Sequence, residues 1–154
     1  MRTDRASRLI AAPPAKVYGA FVDPDALVRW LPPAGMTGEI LDFDARPGGG
    51  YTMTLTYDAP DHAAPGKTSE HGDRVAARFV ELVPDKRIVQ EAEFLSDDPA
   101  FAGTMRMIWS FARAGDATRV EIVCRDVPAG IRKQDHIAGL KSSLANLAVF
   151  VERG

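Results

Sequence analysis

Apolar residues near the C-terminus recur every three or four positions, which is the spacing of one face of an α-helix. The repeat runs between Ile131 and Glu152. Its members are Ile137, Leu140, Leu144, Leu147, Ala148 and Val151, while the opposite side carries Asp135, Ser142, Asn146 and Arg153. A helix of this length extends about 30 Å, and an apolar stripe that long needs a sheet to cover it. We expect the polar side to face water.

The N-terminal part of the chain combines a short strand with two short helices. Ser7–Ala11 is an apolar run that predicts a first strand, stopped by Pro13. Pro14 suits the opening turn of a helix, because a proline has no N–H and none is needed there. Helical spacing continues to Asp23-Pro24, and a second helix is predicted at Asp25–Trp30.

From Thr37 the apolar period changes to two, which predicts strands. The predicted strands are Thr37–Phe43, Tyr51–Tyr57, Asp73–Leu82, Arg87–Phe94, Gly103–Phe111 and Thr118–Arg125. The polar connection Asp58–Gly72 is long, so we expect either a lid or a solvent-exposed link there. The order β-α-α-β-β-β-β-β-β-α predicts a single α+β domain over residues 1–154 with one seven-stranded antiparallel sheet.

Composition and charge narrow the classes of function. The 154 residues are 45% hydrophobic and 26% charged, as in soluble globular proteins. A net charge of -2 argues against general nucleic-acid binding, which requires an excess of basic residues. No apolar run approaches the ~20 residues of a membrane span, and the segment Met1–Arg5 lacks the apolar core of a signal peptide. The single cysteine, Cys124, fits a reducing compartment, so we expect a cytoplasmic protein.

Several local motifs resemble those of one bacterial protein family. They are Trp30-Leu31-Pro32-Pro33, Phe43-Asp44-Ala45-Arg46-Pro47-Gly48-Gly49-Gly50-Tyr51, Gly66-Lys67-Thr68-Ser69-Glu70-His71, Arg78-Phe79-Val80-Glu81-Leu82-Val83-Pro84 and Gly139-Leu140-Lys141-Ser142-Ser143-Leu144. With the order of elements, they make the chain resemble the START/Bet v-like (SRPBCC) superfamily, in particular the branch related to activators of heat-shock-protein ATPase. One departure is Lys133, where relatives often have a proline at the start of the last helix.

The resemblance implies a helix-grip fold, in which a curved antiparallel sheet wraps around a long C-terminal helix with a hydrophobic cavity between them. Members of the superfamily bind lipids, hormones or polyketides, and some catalyse cyclisation or hydration. The fold therefore does not determine the function.

The predicted inner face supplies the candidate ligand-binding residues. They are Tyr51, Met53, Leu55, Phe79, Met105, Met107, Trp109, Leu140 and Leu144, with Trp30 near the entrance. Methionines among aromatic rings form an adaptable apolar wall. Two hypotheses follow: these side chains line a real cavity, or they pack against the helix and leave none. The resemblance favours the cavity.

Two polar candidates have open orientations. The strand Arg87–Phe94 has apolar residues at both parities, so either Gln90 faces the cavity or Glu91 and Glu93 do; buried carboxylates there would have raised pKa values.

His136 lies on the flank of the helical stripe. It either points into the pocket mouth as an acid-base group or polar anchor, or it bonds a loop carbonyl at the rim. Asp135, on the far face of the helix, cannot orient it.

No catalytic or metal-binding motif is complete. Gly66-Lys67-Thr68 lacks the upstream glycine of a phosphate-binding loop, because that position is Asp61. His62 and His71 lack the close spacing of metal ligands, and no G-x-S-x-G motif occurs. We therefore predict no metal, no cofactor and no catalytic residue.

The leading hypothesis is the binding of a small hydrophobic molecule of the lipid, polyketide or aromatic type between the sheet and the last helix. The alternatives are an enzyme of the cyclase or hydratase type and a co-chaperone-like interaction module. The sequence leaves a homodimer open.

Overall fold

The structure, a computed structural model, describes residues 2–58 and 72–153. Its elements are β1 (Thr3–Ile10), α1 (Pro14–Gly19), α2 (Pro24–Trp30), β2 (Met36–Leu41), β3 (Gly50–Tyr57), β4 (Gly72–Val83), β5 (Arg87–Phe94), β6 (Met105–Ala114), β7 (Ala117–Arg125) and α3 (Lys133–Glu152). A single 3-10 turn, Pro99–Phe101, stands between β5 and β6. The predicted lid lies outside the described residues except for its two ends, Asp58 and Gly72.

The seven strands form one antiparallel sheet in the order β1-β7-β6-β5-β4-β3-β2. Strands that follow one another from β2 to β7 are hairpin neighbours, whereas β1 joins the sheet beside β7. The helix α3 packs against β1 and against α2. This arrangement confirms the predicted helix-grip fold.

Proline and aspartate set the starts of the two short helices. Pro14 opens α1, and Pro24 opens α2 behind Asp23, whose carboxylate accepts a hydrogen bond from the backbone N–H of Asp25 at 3.0 Å. Such a cap satisfies a backbone donor that the first turn of a helix leaves without a partner. The helices therefore begin at or near the predicted positions.

The first strand begins at Thr3, four residues earlier than the sequence pattern indicates. Its pairing with β7 runs from Thr3 opposite Arg125 to Ile10 opposite Thr118. The added residues include Asp4, which is fully buried. A charged residue at an inward position does not look like a strand residue in sequence, and two of the partners of Asp4, Lys133 and His136, come from a distant segment.

The buried core joins the helical stripe to the inner face of the sheet. On α3 the buried apolar residues are Leu140, Leu144, Leu147, Ala148 and Val151, which confirms the predicted stripe except at Ile137, which is only half-buried. The sheet and the short helices contribute, among others, Val17, Trp30, Phe79, Ile88, Trp109 and Ile122, each at most 2% exposed.

Candidate functional site

A small cavity lies between the inner face of the sheet and the segment that contains α1 and α2. Its lining residues are Phe21, Leu27, Trp30, Leu31, Tyr51, Gln90, Met107 and Trp109. Its volume is about 20 Å³, and a site of that size has room for roughly one water molecule. Four of the predicted ligand-binding residues line it: Trp30, Tyr51, Met107 and Trp109. No residue of α3 does, so the cavity lies beside α1 and α2 rather than along the C-terminal helix.

The other predicted apolar candidates belong to the packed core. Met53, Phe79, Met105, Leu140 and Leu144 are buried without reaching the cavity, and Leu55 is half-buried against them.

Three aromatic rings of the cavity lining pack closely against one another. The centroid of Phe21 lies 4.6 Å from that of Trp30 and 4.8 Å from that of Trp109. Trp30 and Trp109 meet edge to face at 5.8 Å. Rings at such distances attract one another and bury a large apolar area.

Three buried side chains form a hydrogen-bonded chain at the cavity wall. The indole Nε1 of Trp109 donates to Oε1 of Gln90 at 3.1 Å, and Nε2 of Gln90 donates to the hydroxyl oxygen of Tyr51 at 3.2 Å. Burial raises the pKa of Tyr51 to about 12, although the hydrogen bond from Gln90 acts in the opposite direction. Tyr51 is therefore a neutral phenol at physiological pH. The chain is the polar part of an otherwise apolar lining.

The inward position of Gln90 decides the phase of β5. Glu91 lies on the outer face, where it bonds Arg78 and stands 3.8 Å from Arg106. Glu93 is exposed and accepts a hydrogen bond from Thr104 at 2.8 Å. The alternative in which Glu91 and Glu93 face the cavity is wrong, because arginines across β4 and β6 hold Glu91 on the solvent side.

The sequence left open which side of β5 faces the cavity, and the reason is an apolar residue on the outer face of this strand. Val89 is only 7% exposed although it points outward. It stands opposite Ile108 of β6, which in turn stands opposite Val123 of β7. These three residues form a short apolar stripe on the outer face of the sheet. The stripe explains why apolar residues of β5 occur at both alternating sets of positions in the sequence.

Three hydrogen bonds connect α3 to the segment that follows α2. We call these three hydrogen bonds the latch. Ser143 Oγ donates to the carbonyl of Leu31 at 2.6 Å, and Asn146 Nδ2 donates to the carbonyl of Pro32 at 2.9 Å. The backbone N–H of Ala34 donates to Ser142 Oγ at 2.9 Å. Ser142 and Asn146 therefore position this segment, and the expectation that they serve only a water-facing side is wrong.

His136 contacts the N-terminal strand and is not among the residues that line the cavity. Its Nδ1 lies 2.7 Å from Oδ2 of Asp4. Arg2 donates to the same oxygen from Nη2 at 2.8 Å, and Nζ of Lys133 lies 3.3 Å from Oδ1. The hypotheses that His136 anchors a ligand at the pocket mouth or bonds a loop carbonyl missed Asp4, which precedes the strand predicted from the sequence.

This group of four side chains, the Asp4 cluster, stabilises a charge inside the protein. Burial alone raises the pKa of Asp4, but hydrogen bonds from Arg2, His136 and Lys133 outweigh that effect and hold the pKa well below its usual range. The carboxylate is thus ionised at all ordinary pH values. It connects β1 to the first turn of α3, where Lys133 takes part.

Residues 11–152 match the sequence profile of a family described as Activator of Hsp90 ATPase homolog 1-like protein. The chain belongs to this family.

Solved structures resemble this Activator of Hsp90 ATPase homolog 1-like (AHSA1-like) protein over nearly its whole length. A crystal structure of a Chromobacterium violaceum protein has 35% sequence identity and a TM-score of 0.85, with 97% of this chain and 96% of that chain covered. A Rhizobium loti protein has 25% identity and a TM-score of 0.72, with coverages of 97% and 96%. A solution NMR structure from Arthrobacter aurescens, at 14% identity, a TM-score of 0.80 and coverages of 99% and 87%, shows the fold alone. No curated protein sequence matches the chain significantly.

Within the part of the chain that the structure describes, the remaining reactive groups of the AHSA1-like protein form no second site. In residues 2–58 and 72–153, no three side chains of His, Cys, Asp or Glu converge on a point where a metal ion would sit. His62 and His71 lie outside the described residues. Burial, with Asp4 nearby, raises the pKa of Cys124 to about 12, so this thiol stays protonated. Within the same described ranges, no helix is both long and apolar enough to cross a membrane.

Proposed function

We propose that this AHSA1-like protein binds a small hydrophobic molecule at the cavity between the inner face of the sheet and the α1–α2 segment. The observation that supports this function is the lining of the cavity, which combines aromatic and aliphatic side chains with the single amide of Gln90. Walls of this composition, with few polar groups, are typical of sites for apolar ligands.

Binding requires one wall to move. The cavity of about 20 Å³ is far smaller than the ~300–1,000 Å³ of sites that enclose a drug-sized ligand. Leu27, Trp30 and Leu31 form the wall contributed by α2 and the segment after it, and the latch holds that segment against α3. Met107, which is half-buried and unbranched, is a second adaptable part of the lining.

The energies involved are compatible with ligand-driven opening. Three neutral hydrogen bonds in the latch contribute about 2–4 kcal/mol in total, at about 0.5–1.5 kcal/mol each. A ligand that buries about 200 Å² of apolar surface gains about 5 kcal/mol. Breaking the latch is therefore within reach of a ligand the size of one or two aromatic rings.

Catalysis has less support than binding. The titratable residue of the cavity lining is Tyr51, whose pKa burial raises to about 12, and Gln90 does not titrate. General acid-base catalysis works best with a pKa near the operating pH. A cyclase or hydratase would need a better matched group at this wall.

The test begins with native mass spectrometry of the protein purified from its expression host, followed by organic extraction. We expect a discrete added mass that disappears on denaturation. In parallel, fatty acids, flavonoids and polyketides are screened by thermal unfolding. A ligand at about 100 times its Kd stabilises by about 2.7 kcal/mol, which raises Tm by roughly 5–10 °C in a domain of this size.

Two neighbouring substitutions on β6 provide the matched control. Met107→Trp fills the cavity, whereas Ile108→Trp places the same ring on the outer face of the same strand. We expect ligand binding to be lost in the first variant and kept in the second. An apo mass together with no thermal shift from any member of the panel would overturn the proposal.

A second candidate function is modulation of a chaperone ATPase. It is supported by the description of the family and by the small volume of the cavity, which is about 20 Å³. The test measures the ATPase rate of Hsp90 with and without the protein. A change in rate that Met107→Trp preserves would favour this function, since it would not depend on the cavity.

A further inference from the structure

We propose that the ligand of the cavity carries a neutral hydrogen-bond acceptor, which the hydroxyl proton of Tyr51 binds at the end of the Trp109–Gln90–Tyr51 chain. This inference rests on the proposed function and specifies the chemical class of its ligand. It follows from the direction of the two hydrogen bonds in the chain.

The indole of Trp109 determines the orientation of the Gln90 amide. An indole N–H can only donate, so the atom of Gln90 that lies 3.1 Å from it must be the carbonyl oxygen. The NH₂ group of Gln90 then faces Tyr51, and it too can only donate. The phenol oxygen of Tyr51 is therefore the acceptor of this hydrogen bond, and its own proton is not used.

The proton of Tyr51 has no acceptor among the described residues. Gln90 is the one hydrogen-bond partner of the hydroxyl in residues 2–58 and 72–153. Tyr51 is 9% exposed and lines the cavity, so an acceptor for its proton has to come from whatever occupies the cavity. A buried donor without a partner costs free energy, and an acceptor that arrives with the ligand recovers it.

The lining also indicates that the acceptor is uncharged. None of the eight residues around the cavity carries a positive charge. A carboxylate or phosphate placed there would be buried without a counter-ion, which is strongly unfavourable. Ketones, esters, ethers and heteroaromatic nitrogens satisfy the Tyr51 proton without that cost. A site built to donate a hydrogen bond discriminates against an analogue that lacks the acceptor.

The experiment compares 1-tetralone with tetralin, two molecules of nearly the same shape that differ in one carbonyl. Binding is followed through the NMR signals of the indole N–H groups of Trp30 and Trp109, which both line the cavity. We expect tetralone to bind wild-type protein about tenfold more tightly than tetralin, the effect of one well-placed hydrogen bond. In Tyr51→Phe the ratio falls to about one, and it is kept in Tyr18→Phe, which makes the same change outside the cavity.

A second measurement on the wild-type protein needs no substitution in the core. The infrared C=O stretch of bound tetralone shifts to lower wavenumber than in an alkane solvent, because the carbonyl accepts a hydrogen bond. An unshifted stretch, or a ratio that stays near ten in Tyr51→Phe, overturns the assignment of Tyr51 as the donor.

The outcomes separate this inference from the function on which it rests. If hydrophobic compounds bind but tetralone has no advantage over tetralin in wild-type protein, the acceptor is refuted and the proposed function stands. If no compound of either panel binds, the proposed function fails and the inference fails with it.

Discussion

Replacement of Asp4 by asparagine tests the Asp4 cluster most directly. The carboxylate of Asp4 is 0% exposed, and its partners are 27% exposed for Arg2, 56% for Lys133 and 13% for His136. Asp4→Asn keeps the shape of the side chain and one acceptor oxygen but removes the charge. Most of the lost stability should come from the hydrogen bonds of Arg2 and His136. Lys133 is more exposed to water, so its interaction with Asp4 contributes less.

The expected loss of stability is about 3 kcal/mol. Hydrogen bonds to charged groups contribute about 1.5–3 kcal/mol each, and removal of one member of a buried ion pair costs about 3–5 kcal/mol. Asparagine keeps one acceptor oxygen for these donors, so we expect a value at the lower end of the range of about 3–5 kcal/mol. For a domain of this size, about 2–4 °C in Tm corresponds to 1 kcal/mol, so Tm should fall by about 6–12 °C.

The loss should also depend on pH in a defined direction. Because the pKa of Asp4 is lowered in the folded state, its contribution is complete above the unfolded pKa of about 3.9 and is lost as pH falls toward the folded pKa. The part of the difference in the free energy of unfolding between wild type and Asp4→Asn that comes from titration of Asp4 should therefore be constant from pH 7 to pH 5. It should then shrink by about 1 kcal/mol by pH 3.

The assay is urea-induced unfolding followed by circular dichroism at pH 7, 5 and 3. Asp97→Asn, the same substitution at an exposed position, is the control and should stay within about 0.5 kcal/mol of wild type. Equal stability of wild type and Asp4→Asn at pH 7 would refute the reasoning. A difference that does not change between pH 5 and pH 3 would show that the charge of Asp4 is not responsible.

Three further predictions concern the cavity and the outer face. Gln90→Leu leaves the polar groups of its two partners unpaired, so urea unfolding should show a loss of about 2–4 kcal/mol; a neutral effect would contradict the buried hydrogen-bonded chain. Combining Ser143→Ala with Asn146→Ala removes two latch bonds and should cost about 1–3 kcal/mol while speeding ligand association in stopped-flow measurements, and an unchanged association rate would rule out opening at the α2 wall. Glu91→Gln, on the outer face, should change the free energy of unfolding by at most about 1 kcal/mol and leave ligand affinity unchanged. A loss of affinity would show that Glu91 contributes to ligand binding.

The order of elements could be predicted because each segment keeps its own periodicity. The strand β3 alternates threonine with apolar residues, and α3 keeps a 3-4 repeat along its buried face. These local patterns agree with the global arrangement, so the strands and the long helix followed from the periodicity, whereas the helix-grip arrangement followed from the family resemblance.

The site could be predicted only in part, because its determinants are not local. The position of Asp4 depends on Arg2, Lys133 and His136, and the His136 contact spans 132 positions. The second apolar parity of β5 depends on Val89 packing on the outer face beside Ile108 of β6, a contact that the sequence does not show. The size of the cavity depends on how rings such as Phe21 and Trp30 interlock, and no periodicity records side-chain packing.

The position of β1 beside β7 has a consequence for how the chain folds during synthesis. Thr3 pairs with Arg125, so at about 5–20 residues per second β1 waits for roughly 6–24 s before its partner has been made. Until β7 has been made, β1 can pair with a non-native strand of this or another chain. Charged residues on an unpaired strand discourage such association. Arg5 and Arg8 supply such charges on β1. The N-terminal strand is therefore protected by its own composition until translation delivers the C-terminal part of the protein.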